Sequence, residues 1–189
     1  MKVDIEAIEQ EFWPYGGNRD VYMIIDAAHD RRIYSDLVNS HLNYSCLYSG
    51  DLPFELEVAA PHLIQLEFED KYSRDLIERS WGKSWGIFLK SETRMERLRR
   101  HLRTFLRVRS YDGKILLFRY YDPRVLRVYL PTCTSDELQT VFGPIKHFWT
   151  ENEEAESLLR FDFVRGKLQE QQISVTKVTN QSDDTQLRI

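Results

Sequence analysis

The sequence contains a short, continuous apolar run, Val21-Tyr-Met-Ile-Ile25, which is bounded by turn-forming residues. A run of this length with a β-branched residue at each end is typical of a strand that is buried on both faces. The segment that follows, from about Asp30 to Asn39, carries apolar residues at helical spacing and begins with an aspartate suited to capping a helix. Together the two segments predict a sheet covered by helices.

The same alternation continues along the chain. Further strands are predicted at 44–48, 61–68, 85–89, 147–149 and 158–164, and further helices at 4–12, 72–80, 91–107, 122–130 and 135–142. Asp112-Gly113 between apolar runs predicts a hairpin over 107–121. The predicted fold class is therefore α/β or α+β, a single domain with a central mixed β-sheet flanked by helices. We expect an N-terminal helix and loop at 1–19, the α/β domain at 20–166, and a polar, loosely ordered tail at 167–189.

Composition excludes several classes of protein. The 189 residues are 42% hydrophobic and 30% charged, which is enough apolar material for a core and argues against a disordered or fibrous chain. The apolar runs are far shorter than the roughly 20 residues of a membrane span, and the acidic N-terminus does not resemble a secretory signal. The two cysteines, Cys46 and Cys133, are far apart and match no disulfide framework. We therefore expect a cytoplasmic protein without a membrane partner.

The helix predicted at 91–107 combines an apolar stripe with many basic residues. Ser91 is the expected N-cap, and the stripe consists of Met95, Leu98, Leu102, Phe105 and Leu106. Seven arginines, which we call the arginine ridge, are Arg94, Arg97, Arg99, Arg100, Arg103, Arg107 and Arg109. Helical spacing predicts that Arg99, Arg100 and Arg103 lie beside the stripe and face solvent.

The arginine ridge has two interpretations. It is either a solvated face that pairs with Glu92 and Glu96, or a binding surface for phosphates or for carboxylates of a protein partner. Two glutamates leave several of the arginines without a local partner. An acidic protein surface is the preferred ligand, and nucleic acid is not expected, because a chain of net charge −4 suits a polyanion poorly.

Catalytic chemistry has one candidate, which lies just after the first buried strand. Asp26, His29 and Asp30 could hold a divalent metal and support a metal-dependent phosphoester hydrolase. The structural alternative, which is favoured, is that Asp26 and Asp30 cap the helix that follows. The five histidines are scattered without zinc spacing, and the glycine-rich phosphate-binding motifs are missing. No cofactor is expected, and the chain is not expected to be an enzyme.

A second candidate binding surface begins in the last residues of the predicted hairpin. Tyrosine and arginine are frequent anchors of protein interfaces, and this segment is rich in both. The candidate residues are Arg119, Tyr120, Tyr121, Asp122 and Arg124. We therefore expect that some of these aromatic side chains are exposed and contact a partner.

Several segments together resemble the type VI secretion effector adaptor/chaperone family. The most specific of them are Phe118-Arg-Tyr-Tyr-Asp-Pro-Arg124 and Trp85-Gly-Ile-Phe-Leu-x-Ser91. The others are Tyr22-x-x-x-Asp26-x-Ala28, Ala59-Ala-Pro-His-Leu63, Leu98-Arg-Arg-His-Leu-Arg103 and Phe142-Gly-Pro-Ile145. The resemblance extends over roughly residues 20 to 150.

The resemblance implies a function without catalysis. Such proteins are bacterial cytoplasmic adaptors that bind a toxic effector and help load it onto the trimeric spike of the secretion apparatus. An effector toxin and a spike protein are therefore the expected partners. The hydrolase and a nucleic-acid-binding module that uses the arginine ridge are the alternatives.

Overall fold

A seven-stranded antiparallel sheet forms the centre of the molecule in the computed structural model, which describes residues 3–17 and 20–176. Its strands are β1 (Val21–Asp26), β2 (Tyr44–Cys46), β3 (Pro61–Gln65), β4 (Gly86–Lys90), β7 (His147–Glu151), β8 (Ser157–Val164) and β9 (Lys167–Ser174). Their order in the sheet is β2-β3-β1-β4-β7-β8-β9. The two remaining strands, β5 (Arg107–Arg109) and β6 (Ile115–Leu117), form a separate antiparallel hairpin.

Seven α-helices accompany the strands in the described residues. They are α1 (Ile5–Phe12), α2 (Arg31–Asn39), α3 (Phe54–Glu57), α4 (Lys71–Ser80), α5 (Met95–Arg103), α6 (Pro123–Tyr129) and α7 (Ser135–Phe142). Aspartates cap four of these helices as the sequence favours, since Asp4 accepts a hydrogen bond from the Ala7 N–H in the first turn of α1. Asp30, Asp70 and Asp122 accept hydrogen bonds from the first-turn N–H groups of α2, α4 and α6.

Helices cover both faces of the sheet. Successive side chains of a strand point to opposite faces, so β1 contributes residues to a core on each side. On β1, Tyr22 and Ile24 belong to a core shared with α5, α6 and α7. Met23 and Ile25 belong to a second core, which is shared with α1, α2 and α4. The continuous apolar run of β1 is therefore buried on both sides, as predicted.

The predicted fold class is confirmed, with one correction to the sheet. The chain forms a single domain in which helices flank a central sheet, but every strand pair is antiparallel, so the sheet is not mixed. At the centre of the sheet, β1 lies between β3 and β4, and both of these strands run in the direction opposite to β1.

The helix predicted at 91–107 is shorter than expected. Ser91 is buried and donates a hydrogen bond to the Pro144 carbonyl at 2.8 Å, so this residue anchors a loop and does not cap the helix. The helix α5 begins at Met95 and ends at Arg103. Phe105 and Leu106 lie beyond its end and lead into the β5–β6 hairpin, although both still pack against the core.

The expectation of a loosely ordered tail is wrong for Lys167–Ser174, which form β9 at one edge of the sheet. A two-residue turn with positive φ at Arg165 and Gly166 connects β8 to β9, as is common in hairpins. The sequence of β9 is polar, as suits an edge strand with mostly exposed side chains. The remainder of the predicted tail, 177–189, lies outside the described residues.

None of the helices in the described part of the chain has the length and apolar character that crossing a membrane requires.

Candidate functional site

The candidate arginines other than Arg99 fall into two groups that differ in their partners. The first group, which we call the paired corner, consists of Asp26, Arg119, Asp122 and Arg124. The Arg119 guanidinium donates a hydrogen bond to Asp26, whose side chain is only 5% exposed. Asp26 also accepts a hydrogen bond from the Ala28 N–H at 3.1 Å and so caps the short turn after β1. The carboxylate therefore holds Arg119 and the end of β1 together.

Asp122 has the same double role at the start of α6. It accepts hydrogen bonds from the Arg124 N–H at 2.9 Å, from Nε of Arg124 at 2.9 Å and from Nη2 at 2.6 Å. Burial alone would raise the pKa of Asp122, but these hydrogen bonds outweigh it and lower the pKa. Arg124 is thus held by its own helix cap.

The two aromatic residues between Arg119 and Asp122 are inside the protein. Tyr120 and Tyr121 are almost fully buried, and the Tyr120 hydroxyl donates a hydrogen bond to the Leu102 carbonyl at 2.9 Å. The expectation of an exposed aromatic surface at Tyr120 and Tyr121 is therefore wrong. Both rings belong to the core that α5, α6 and α7 share with the sheet, and burial raises their pKa values.

Asp26 and Asp30 have partners that fit the structural alternative. The Asp30 carboxylate pairs with Arg32, and this hydrogen bond lowers the pKa of Asp30. His29 lies exposed in the turn between the two aspartates. Across residues 3–17 and 20–176, no three His, Cys, Asp or Glu side chains are grouped as metal ligands would be. Both aspartates act as caps in this structure.

Arg99 belongs to neither group, because it is tied to the backbone. Its Nε donates to the Cys46 carbonyl at 2.7 Å and its Nη2 to the Tyr48 carbonyl at 3.2 Å. The prediction that Arg99 faces solvent with Arg100 and Arg103 is therefore wrong. Arg99 instead connects α5 to the end of β2.

The second group of arginines lines a surface groove of about 640 Å³, which we call the arginine groove. Its basic residues are Arg100, Arg103 and Arg107, and its aliphatic residues are Leu52, Leu56, Leu106 and Leu117. Tyr48, Ser49 and Thr104 complete the lining, so no carboxylate of the described residues contributes to it. Within the described ranges, none of the three arginines forms an ion pair. Asp51 and Glu57 line a neighbouring depression, which shares Arg103.

The β5–β6 hairpin continues one wall of the arginine groove. Ile115, Leu116 and Leu117 are 66%, 48% and 50% exposed, and the two strands pair only with each other. Two-stranded hairpins are only marginally stable by themselves in water. The backbone of this one is joined to the core at its base, where the Phe118 N–H donates to the Leu106 carbonyl at 2.9 Å. The result is an exposed apolar arm on a fixed base.

Leu52 and Leu56 were not predicted from the sequence as site residues. They lie in a segment around the four-residue helix α3, which is too short to show a helical pattern. The only available signal was a set of apolar residues, Leu52, Phe54 and Leu56, in a stretch that also contains Pro53 and several acids. Nothing in the sequence places this segment beside α5.

Comparison with known proteins gives one match. A family described as a domain of unknown function, DUF4123, matches residues 21–140, from the start of β1 into α7. No curated protein and no solved structure matches the chain. The matched region contains the paired corner, the arginine groove and the β5–β6 hairpin. Since it covers more than half of the 189 residues, the chain belongs to the DUF4123 family.

Proposed function

We propose that the chain is a non-enzymatic adaptor of type VI secretion, which binds a toxic effector in the bacterial cytoplasm and helps load it onto the spike. The resemblance of its motifs to effector adaptors and its membership of the DUF4123 family support this proposal. Effector and spike are then its partners, and no cofactor is required.

One observation carries the proposal: the arginine groove lies beside an apolar arm, and its three arginines have no carboxylate partner among the described residues. Contiguous exposed apolar surface that is bordered by polar residues is a mark of interaction sites. Arginine is also enriched in interfaces, because its guanidinium binds carboxylates through two parallel hydrogen bonds.

Co-expression tests the proposal directly. The tagged chain is produced together with the toxin and the spike protein of the same bacterium, and complexes are purified by affinity and size-exclusion chromatography. We expect the toxin to elute with the chain in a stoichiometric complex, while a toxin from an unrelated secretion system does not. Absence of both the cognate toxin and the spike from the complex would contradict the proposal.

A further inference from the structure

We propose that the arginine groove and the adjoining face of the β5–β6 hairpin bind an acidic amphipathic segment of a partner protein, in which aliphatic side chains are flanked by carboxylates. This inference rests on the proposed adaptor function, because it describes the chemistry of the segment through which a partner is held. It adds what the proposed function leaves open, namely where on the chain the partner lies and what kind of sequence it presents.

Charge is the first argument. Arg100, Arg103 and Arg107 line the groove, and the part of the chain that the structure describes adds no aspartate or glutamate to the lining. Three guanidinium groups on one concave surface repel one another, and a ligand with carboxylates relieves this repulsion while forming charge-assisted hydrogen bonds. The groove is therefore complementary to negative charge.

The aliphatic lining is the second argument. Leu56 and Leu117 are exposed and Leu52 is half-buried, and an apolar ligand group is what would remove their side chains from water. Sites for single-stranded nucleic acid use aromatic side chains on which the bases stack. Among the described residues that line the groove, Tyr48 is the only aromatic one. The lining therefore favours a protein segment over a nucleic acid.

The register of the hairpin is the third argument. Arg107 lies opposite Leu117, and Arg109 lies opposite Ile115. Residues opposite each other, and residues two apart on one strand, share a face of the ribbon. One face of the hairpin thus carries two arginines on β5 beside two aliphatic residues on β6. This places a basic stripe about 5 Å from an apolar stripe, the spacing of neighbouring strands, and both stripes lead into the groove.

The two stripes define the ligand. A segment that lies along them has to present carboxylates to one stripe and aliphatic side chains to the other. A purely acidic chain would leave the apolar stripe uncovered, and a purely apolar chain would bury the arginines without partners, which is costly.

Model peptides provide the test. Three fluorescent probes are compared by anisotropy: an amphipathic peptide of leucine and glutamate, the same peptide with every leucine replaced by glutamine, and the same peptide with every glutamate replaced by lysine. A single-stranded oligonucleotide is the fourth probe. We expect the leucine–glutamate peptide to bind at least about tenfold more tightly than each of the other three, a difference of about 1.4 kcal/mol.

Variants then locate the binding. The double variant Arg100→Glu with Arg103→Glu should lose at least about tenfold in affinity for the leucine–glutamate peptide. The matched control, Arg31→Glu with Arg97→Glu, makes the same change in net charge at exposed positions that do not line the groove, and should bind as the wild type does. Ile115→Ser with Leu117→Ser removes the apolar stripe without changing any charge, and should also weaken binding.

Three results would overturn the inference. They are equal binding of the glutamine-substituted peptide, equal or tighter binding of the oligonucleotide, and full binding by both groove variants. Co-purification separates this failure from failure of the adaptor function. If the Arg100→Glu, Arg103→Glu variant still holds toxin and spike, the adaptor stands and the groove assignment is wrong. If the peptide binds in the groove but neither toxin nor spike co-purifies, the groove stands and the adaptor function is wrong.

Discussion

The paired corner and the arginine groove are both rich in arginine, yet they differ in what the guanidinium groups contact. In the corner, Arg119 and Arg124 are held by Asp26 and Asp122, and each of these carboxylates also caps a turn or a helix. In the groove, Arg100 and Arg107 are exposed and Arg103 is half-buried, and all three lie beside leucine side chains. The partners of an arginine, and not the number of arginines nearby, therefore distinguish its structural role in the corner from its proposed binding role in the groove.

The two regions should therefore respond differently to substitution. In the corner the two carboxylates are buried although Arg119 and Arg124 are 45% and 62% exposed, so removing a carboxylate costs its hydrogen bonds and part of the ion-pair energy. Changing an exposed charge that has no partner costs little, since water already solvates it. Stability measurements should thus report on the corner, and binding measurements on the groove.

The largest loss of stability is expected for Asp26→Ala. This substitution removes the cap of the Ala28 N–H and the partner of Arg119, whose side chain is 45% exposed and therefore stays partly solvated. The free energy of unfolding, measured by chemical denaturation, should fall by about 2–3 kcal/mol. Asp26→Asn, which keeps a capping oxygen, should lose less. An unchanged Asp26→Ala variant would contradict the structural role of the corner.

Arg99→Ala tests the same contrast between two neighbouring arginines of α5. Arg99 bonds the carbonyls of Cys46 and Tyr48, whereas the neighbouring Arg100 lines the groove. Loss of these two hydrogen bonds should lower the free energy of unfolding by about 1–2 kcal/mol. Arg100→Ala is the matched control and should stay within about 0.5 kcal/mol of the wild type. If Arg99→Ala lowered the free energy of unfolding no more than Arg100→Ala does, the two hydrogen bonds of Arg99 would contribute nothing measurable to stability.

Asp122→Ala should cost about 1 kcal/mol, as the loss of a helix cap usually does. A pH series distinguishes the cap from the charge. The pKa of Asp122 is lowered on folding, so its charge stabilises the protein above the usual aspartate pKa of about 4, and this contribution disappears as the pH falls through the lower, folded value. The difference in stability between the wild type and Asp122→Asn should therefore shrink below about pH 4. A difference that stays constant in acid would mean that the carboxylate charge contributes nothing.

The smallest change in stability is expected for Ile115→Ser combined with Leu117→Ser. Both side chains are at least half exposed on the hairpin, so thermal unfolding should shift by the equivalent of no more than about 0.5 kcal/mol. Partner binding should nevertheless weaken. A large loss of stability would show that the hairpin is part of the core, and the contrast between arm and corner would then disappear.

Local patterns predicted those elements that their own residues determine. The apolar run of β1 and the capping aspartates of α2 and α6 were correctly interpreted, because strand burial and helix capping depend on a few neighbouring residues. The fold class followed from the alternation of such elements. Strand β9 was missed because an edge strand buries few side chains and so lacks the apolar signal.

The candidate site was predicted only in part, because its meaning depends on contacts between distant segments. Arg100 and Arg103 were named from helical spacing, and both line the groove. The same spacing could not show that the Cys46 and Tyr48 carbonyls approach Arg99, or that Tyr120 and Tyr121 fill the core. Leu52 and Leu56 are binding candidates only because the fold places them in one groove with Arg100 and Arg103.

The base of the β5–β6 hairpin has a consequence for how this protein diverges. The arm leaves the core at Leu106 and returns at Phe118, and a backbone hydrogen bond joins these two positions. Residues 107–117 therefore lie between two fixed points, and we expect their sequence and length to tolerate change without altering the layers behind them. Related chains are then expected to keep the corner and exchange the arm, so that one scaffold acquires new partners through the replacement of a single short segment.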